Sequence, residues 1–164
     1  MNTIQHSDID IEKEFCPPPG VKERLTFPKS ERLHHRTLVE GLFKGRNNLY
    51  EYPLRLTWRA LGEDELRSSF RGDIPPGIAP LQMMVTVPKK KRRHAVDRVL
   101  MRRRIREAYR LRRRVLRRAV ESVPTLRTLS VGIIYMASEN VEMSVIETKM
   151  EILLSRLMKR ITVG

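Results

Sequence analysis

One stretch of this chain leaves the backbone little choice. Residues 95–120 hold neither glycine nor proline and are rich in Arg, Leu, Met, Val and Ala, so a helix of about seven turns is the conformation of lowest cost. At about 100° per residue, Arg98, Arg102, Arg106, Arg110, Arg113 and Arg117 gather on one side of it, and Leu100, Met101, Ala108, Leu111, Val115 and Ala119 gather on the other. Such a helix packs by one face and presents guanidinium groups on the other. Arg104 falls amid the apolar face, where its stem can pack while its head snorkels outward. Val99 falls amid the arginine face, where an apolar side chain offers no polar contact.

Lys89, Lys90, Lys91, Arg92 and Arg93 lead directly into this helix, so residues 89–118 contain 16 Lys or Arg against two acids, Asp97 and Glu107. The rest of the 164-residue chain holds 17 bases and 17 acids, and the formal net charge of +14 therefore resides in those thirty residues alone. A charge run is ordinarily a solvated surface, but like charges this dense repel one another unless a polyanion lies against them. Arginine's planar fork binds phosphate oxygens bidentately and stacks on bases, which makes RNA the expected partner. Membrane adsorption is a weaker reading, because the helix's apolar face carries neither Trp nor Phe.

Other function classes are set aside by what is missing. Cys16 is the only cysteine, which rules out an internal disulfide or a cysteine-rich zinc site and suits a reducing cytoplasm. Residues 1–16 alternate acids with isolated Ile and show no signal peptide, and no run approaches the ~18 apolar residues of a membrane span. A soluble cytoplasmic protein is expected. Asp8, Asp10 and Glu12, and again Glu63, Asp64 and Glu65, resemble carboxylate clusters but lie in a tail and a loop, where they read as solvated charge. His34 and His35, if helical, point about 100° apart, and with His94 they give no metal-ligand spacing. No Ser, His and Asp spacing suggests a triad, so no catalytic residue and no metal ligand is expected.

Around the arginine helix the pattern gives one α+β domain. Pro17, Pro18, Pro19 and Gly20 break the polar N-terminus, which predicts a flexible tail over 1–24 and a domain over 25–161. Ser30 is expected to cap a short helix carrying Leu33, Leu38, Leu42 and Phe43 and ending at Gly45. Leu54, Leu56, Trp58 and Ala60 alternate with Arg55, Thr57 and Arg59 as a half-buried strand. Pro75, Pro76, Pro80, Gly72 and Gly77 predict a long inserted loop over about 62–80. Met83, Val85 and Val87 form a second strand, and the β-branched run 129–136 a third. A last helix from Ser144 stacks Ile146, Met150, Leu153, Leu154, Leu157 and Ile161 on one stripe.

The string from Val87 to Arg110, VPKKKRRHAVDRVLMRRRIREAYR, resembles the protein subunit of bacterial ribonuclease P. That family leads a strand ending in Lys-Lys through Ala-Val into an Arg-Asn-Arg motif, further basic residues and an Arg-Glu pair. The matching positions are Lys89, Lys90, Ala95, Val96, Arg98, Arg102, Arg103, Arg106, Glu107 and Arg110. Upstream, Lys29, Arg32, Leu33, Leu42, Phe43 and Gly45 resemble the family's first helix. The family's central Asn and following Arg are Val99 and Leu100 here, its first aromatic position is Leu38, and the 62–80 segment exceeds the compact pattern.

The resemblance implies an α–β sandwich of order αβββαβα, with a four-stranded sheet and a left-handed βαβ crossover. It implies that Lys89, Lys90, Arg93, Arg98, Arg102, Arg103, Arg106 and Arg110 contact the catalytic RNA subunit. Phe43, Arg55 and Thr57 would line a cleft for the 5′ leader of precursor tRNA. Magnesium would be bound mainly through the RNA, where catalysis resides, and no membrane or obligate protein partner is implied. A ribosomal or RNA-chaperone protein, binding RNA without a reaction, is the alternative. A basic-helix DNA binder is the remotest reading, since no zipper heptads follow Val120.

Overall fold

The computed structural model describes residues 27–163. The expected tail, 1–24, lies outside them. Along β2 (Leu54–Leu61) the alternation read from the sequence puts Leu54 and Leu56 on a buried face, with Trp58 and Ala60 packed partly against the same core. β2 hydrogen-bonds on one side to β1 (Asn48–Glu51) and on the other to β4 (Thr128–Tyr135), antiparallel in both cases. β3 (Leu81–Thr86) lies parallel to β4, giving the sheet order β1-β2-β4-β3. A parallel pair needs a long crossover. The 27-residue helix α3 (Ala95–Glu121) is contained in it.

Because β4 is central it is buried on both faces, and its sequence is accordingly a near-continuous apolar run rather than an alternation. One face of the sheet packs Leu56, Met83, Val131 and Ile133 against Met101, Ile105 and Leu116 of α3, and against Met150, Leu153 and Leu157 of α4 (Met143–Val163). All six stripe residues expected on that last helix are buried. The other face carries a smaller core, in which Leu38 and Leu42 of α1 (Arg36–Lys44) meet Leu33, Leu61, Leu66 and Ile78. Gly132 allows this second layer to form: a Cβ there would stand 3.0 Å from both the Leu42 and Thr57 side chains. With the short helix α2 (Glu63–Ser69) between β2 and β3 set aside, the order is αβββαβα, an α+β fold on a four-stranded mixed sheet.

Four local expectations change. Ser30 caps nothing; it sits in a short 3₁₀ turn, Lys29–Glu31, and α1 begins only after His35. Leu33 precedes the helix, and its N–H donates to the Met83 carbonyl at 3.0 Å, so the chain there runs along the outer edge of β3. The 62–80 segment is not all loop. Glu63, Asp64 and Glu65 form the first turn of α2, where carboxylates meet the positive end of the helix dipole, and Glu65 accepts a hydrogen bond from the Gly62 N–H at 3.1 Å. Finally, the buried arc of α3 is Met101, Ile105, Ala108, Tyr109, Leu116 and Val120, whereas Leu111 is 40% exposed. Its centre is turned by roughly 80° from the apolar face read off the sequence.

Candidate nucleic-acid interface

The loop from β3 to α3 brings Lys89, Lys90 and Arg93 to the surface. It is held in place by its other arginines. Arg92 pairs with Asp97 at 2.8 Å and donates to the Ser138 carbonyl, while the Asn140 amide donates to Asp97 at 2.9 Å. The Asn140 hydrogen bond, aided by Arg92, keeps the Asp97 carboxyl below the usual carboxylate range. Arg98 also turns back, its Nη1 donating to the carbonyls of Arg92 and Arg93 at 3.0 and 2.6 Å. It closes the loop onto the first turn of α3 and is only partly open to a ligand.

Farther along α3 the arginine row divides. Arg102, Arg103 and Arg106 have no carboxylate within ion-pair distance among the described residues. Burial, and then the charges of Arg102 and Arg32, push the Arg106 pKa down from its ordinary value. Arg110 is tied to Glu107 at 2.6 Å. Arg113 lies against Glu31 at 2.5 Å, and Arg117 reaches Glu31 at 3.5 Å and Glu121 at 2.9 Å. Glu31 is only 3% exposed. A buried carboxylate so placed offsets the charge of Arg113 and Arg117 in the second half of the helix, whereas Arg102, Arg103 and Arg106 in the first half have no such partner among the described residues. On the opposite flank Arg104 donates to the Val141 carbonyl, so its head is fixed rather than simply snorkelling to water.

The sheet face beside α1 holds the expected cleft residues, with one correction. Arg55 pairs across the strands with Tyr50, lies 5.6 Å from the centre of its ring, and donates to Asn48 at 3.0 and 3.2 Å. Phe43 on α1 is 45% exposed. Thr57 shares the Arg55 face but does not point to solvent: it is 1% exposed, and its hydroxyl donates to the Leu42 carbonyl at 3.4 Å. Its work is to seat α1 on the sheet. Tyr50, 58% exposed, was not read from the sequence, because β1 is only four residues long and carries no clear alternation.

His34 and His35 are not on a helix. They stack with ring centres 4.4 Å apart before α1, and His35 meets the Phe70 ring edge-on at 5.8 Å. Burial, and then His34, lower the His35 pKa. Among the described residues no three His, Cys, Asp or Glu side chains are grouped to hold a metal, and no helix is long and apolar enough to cross a membrane.

A family profile described as Ribonuclease P matches residues 27–158. The chain belongs to the ribonuclease P family. It is similar to the Ribonuclease P protein components of two strains of Porphyromonas gingivalis, at 32% and 31% identity over 106 residues, which is 65% of this chain and 69% of each relative. The ribonuclease P match takes in the basic loop, all of α3, the whole sheet and α1. Within it, Val99 is 40% exposed on α3, and Leu100 is partly buried against the main core. The second departure from the ribonuclease P motif is thus a packing residue, and the first lies on the surface.

Proposed function

We infer that this chain does the work of a ribonuclease P protein component, the protein subunit of an endoribonuclease that matures the 5′ end of tRNA. The observation that carries the reading is the positive surface running from Lys89 and Lys90 through Arg93 to Arg102, Arg103 and Arg106, set on the ribonuclease P framework. This surface meets the phosphates of the catalytic RNA; Arg98 and Arg110, each already bonded within the protein, contribute charge from fixed positions. Neutralising phosphates releases counterions and lets catalytic and substrate RNA approach. The exposed Phe43 and the Tyr50–Arg55 pair suit a single-stranded leader, which stacks on aromatic rings and follows positive charge. Magnesium, held mainly by the RNA, supplies the hydrolytic chemistry in the cytoplasm, and the protein positions and neutralises.

Reconstitution tests this. Added to a bacterial ribonuclease P RNA, the chain is expected to lower the magnesium concentration needed for cleavage of precursor tRNA at its 5′ site. The protein alone, freed of RNA by ribonuclease treatment, is expected to cleave nothing. Cleavage by the RNA-free protein, or no change in the magnesium requirement, would overturn the assignment.

A further inference from the structure

The expected RNA surface is confined to the basic loop and α3, yet a third element reaches the same place. Arg32 lies on the extended segment that runs beside β3, fixed by its bridge to Met83 and by the neighbouring Leu33 N–H. Its guanidinium stands 5.8 Å from the centre of the Phe27 ring, and that ring meets Tyr109 of α3 edge-on at 5.9 Å. The cation is thereby held against α3 one turn from Arg106. Glu31 ends the 3₁₀ turn and Arg32 begins the extended segment. Glu31 turns inward to Arg113 and Arg117, and Arg32 turns outward, exposed.

We propose that Arg32, Arg102 and Arg106 form one binding site for backbone phosphate of the catalytic RNA, contributed jointly by the N-terminal segment and α3. Arg102 and Arg106, four residues apart, are neighbours on the helix surface. None of the three has a carboxylate within ion-pair distance among the described residues. Among the described residues no carboxylate offsets these three cations; burial first, and then the charges of Arg102 and Arg32, push the Arg106 pKa down, and a bound phosphate relieves the opposition among them. The same short segment thus sets the boundary of the interface. Glu31 withdraws Arg113 and Arg117 from it, and Arg32 extends it beyond the helix.

The proposal rests on the RNA-binding reading above, and its test separates the two. Affinity of the full chain for a bacterial ribonuclease P RNA transcript is measured across a series of salt concentrations. Arg32→Gln and Arg106→Gln are each expected to flatten the log–log salt dependence by ~0.7 to 0.9, so that a tenfold rise in salt costs either variant about sixfold less affinity than the parent. Arg32→Lys, which keeps the charge, is expected to restore the parental slope. An unchanged slope in Arg32→Gln beside a reduced one in Arg106→Gln overturns the joint site and leaves the helix reading intact. Unchanged slopes in both overturn the two together. Equal loss in Arg32→Lys and Arg32→Gln overturns the proposal by showing that packing on Phe27, not charge, was removed.

Discussion

Val99 stands where the ribonuclease P motif carries an asparagine, and its surroundings decide what the difference costs. It projects from α3 into solvent. An amide at this position would remain hydrated in the free protein and could donate or accept a hydrogen bond in the complex. Val99→Asn is therefore expected to leave the melting temperature nearly unchanged and to strengthen RNA binding by about 0.5 to 1.5 kcal/mol, roughly two- to tenfold. A clear loss of thermal stability with no gain in affinity would show that Val99 packs against another element. Leu100 is a different case, since its side chain contributes to the core. At that position the apolar residue has been absorbed into the fold, and restoring a cation would remove packing rather than add a contact.

At the scale of elements, legibility followed from how many neighbours each one has. In β2, β3 and α4 the residues facing the main core recur at period 2 or period 3.6, which reveals them directly, although Thr57, Leu61 and Gln82 are buried on the second face of the sheet. α3 was found but misoriented, because a helical wheel assumes one buried face. This helix is covered by the sheet, by α4 through the Arg112–Glu151 pair, and by the N-terminal segment through Glu31. Arginines that looked solvated along the wheel are in part its internal fasteners. β1 is too short to show a period, and α2 was concealed because its acids were read as loop charge, although Gly-Glu-Asp-Glu ahead of Leu66 is a helix-start pattern. Of the expected contacts, the basic loop and the first half of α3 lie at the surface, whereas Thr57 became a packing residue and Arg32 went unassigned. Glu31 gives the sharpest consequence. Glu31→Gln keeps the shape but leaves Arg113, whose side chain is 13% exposed, without its carboxylate. Loss of one partner of a buried pair is expected to cost about 3 kcal/mol in chemical denaturation. A change below about 1 kcal/mol would mean that water already screens this pair.

Taken as a whole, the molecule concentrates its charge in one helix and the loop before it, and the same helix also holds the fold together. The two cores lie on either face of the sheet, while the entire formal excess of +14 is carried by residues 89–118, the basic loop and most of α3. Two opposed electrostatic effects follow for the free protein. The internal pairs, such as Glu31–Arg113 and Arg92–Asp97, are partly buried and weakly screened. Repulsion among the exposed cations acts through solvent, where the screening length falls from about 30 Å at 0.01 M salt to about 10 Å at 0.1 M. Added salt therefore weakens the repulsion more than the pairing, and the melting temperature of the free protein is expected to rise between those two concentrations. A bound RNA does the same work more specifically, stabilising the folded chain by mass action as the logarithm of one plus its concentration over Kd. In the complex the sign reverses. Salt now competes with RNA for the basic surface, so raising it from 0.1 to 0.3 M is expected to lower the melting temperature at fixed RNA concentration. Thermal melts of the chain with and without a ribonuclease P RNA transcript, over this salt range, check both signs. A free protein that loses stability on the first addition of salt would show that ion pairing outweighs repulsion in α3, and that its arginines are held in the fold more than they are offered to RNA.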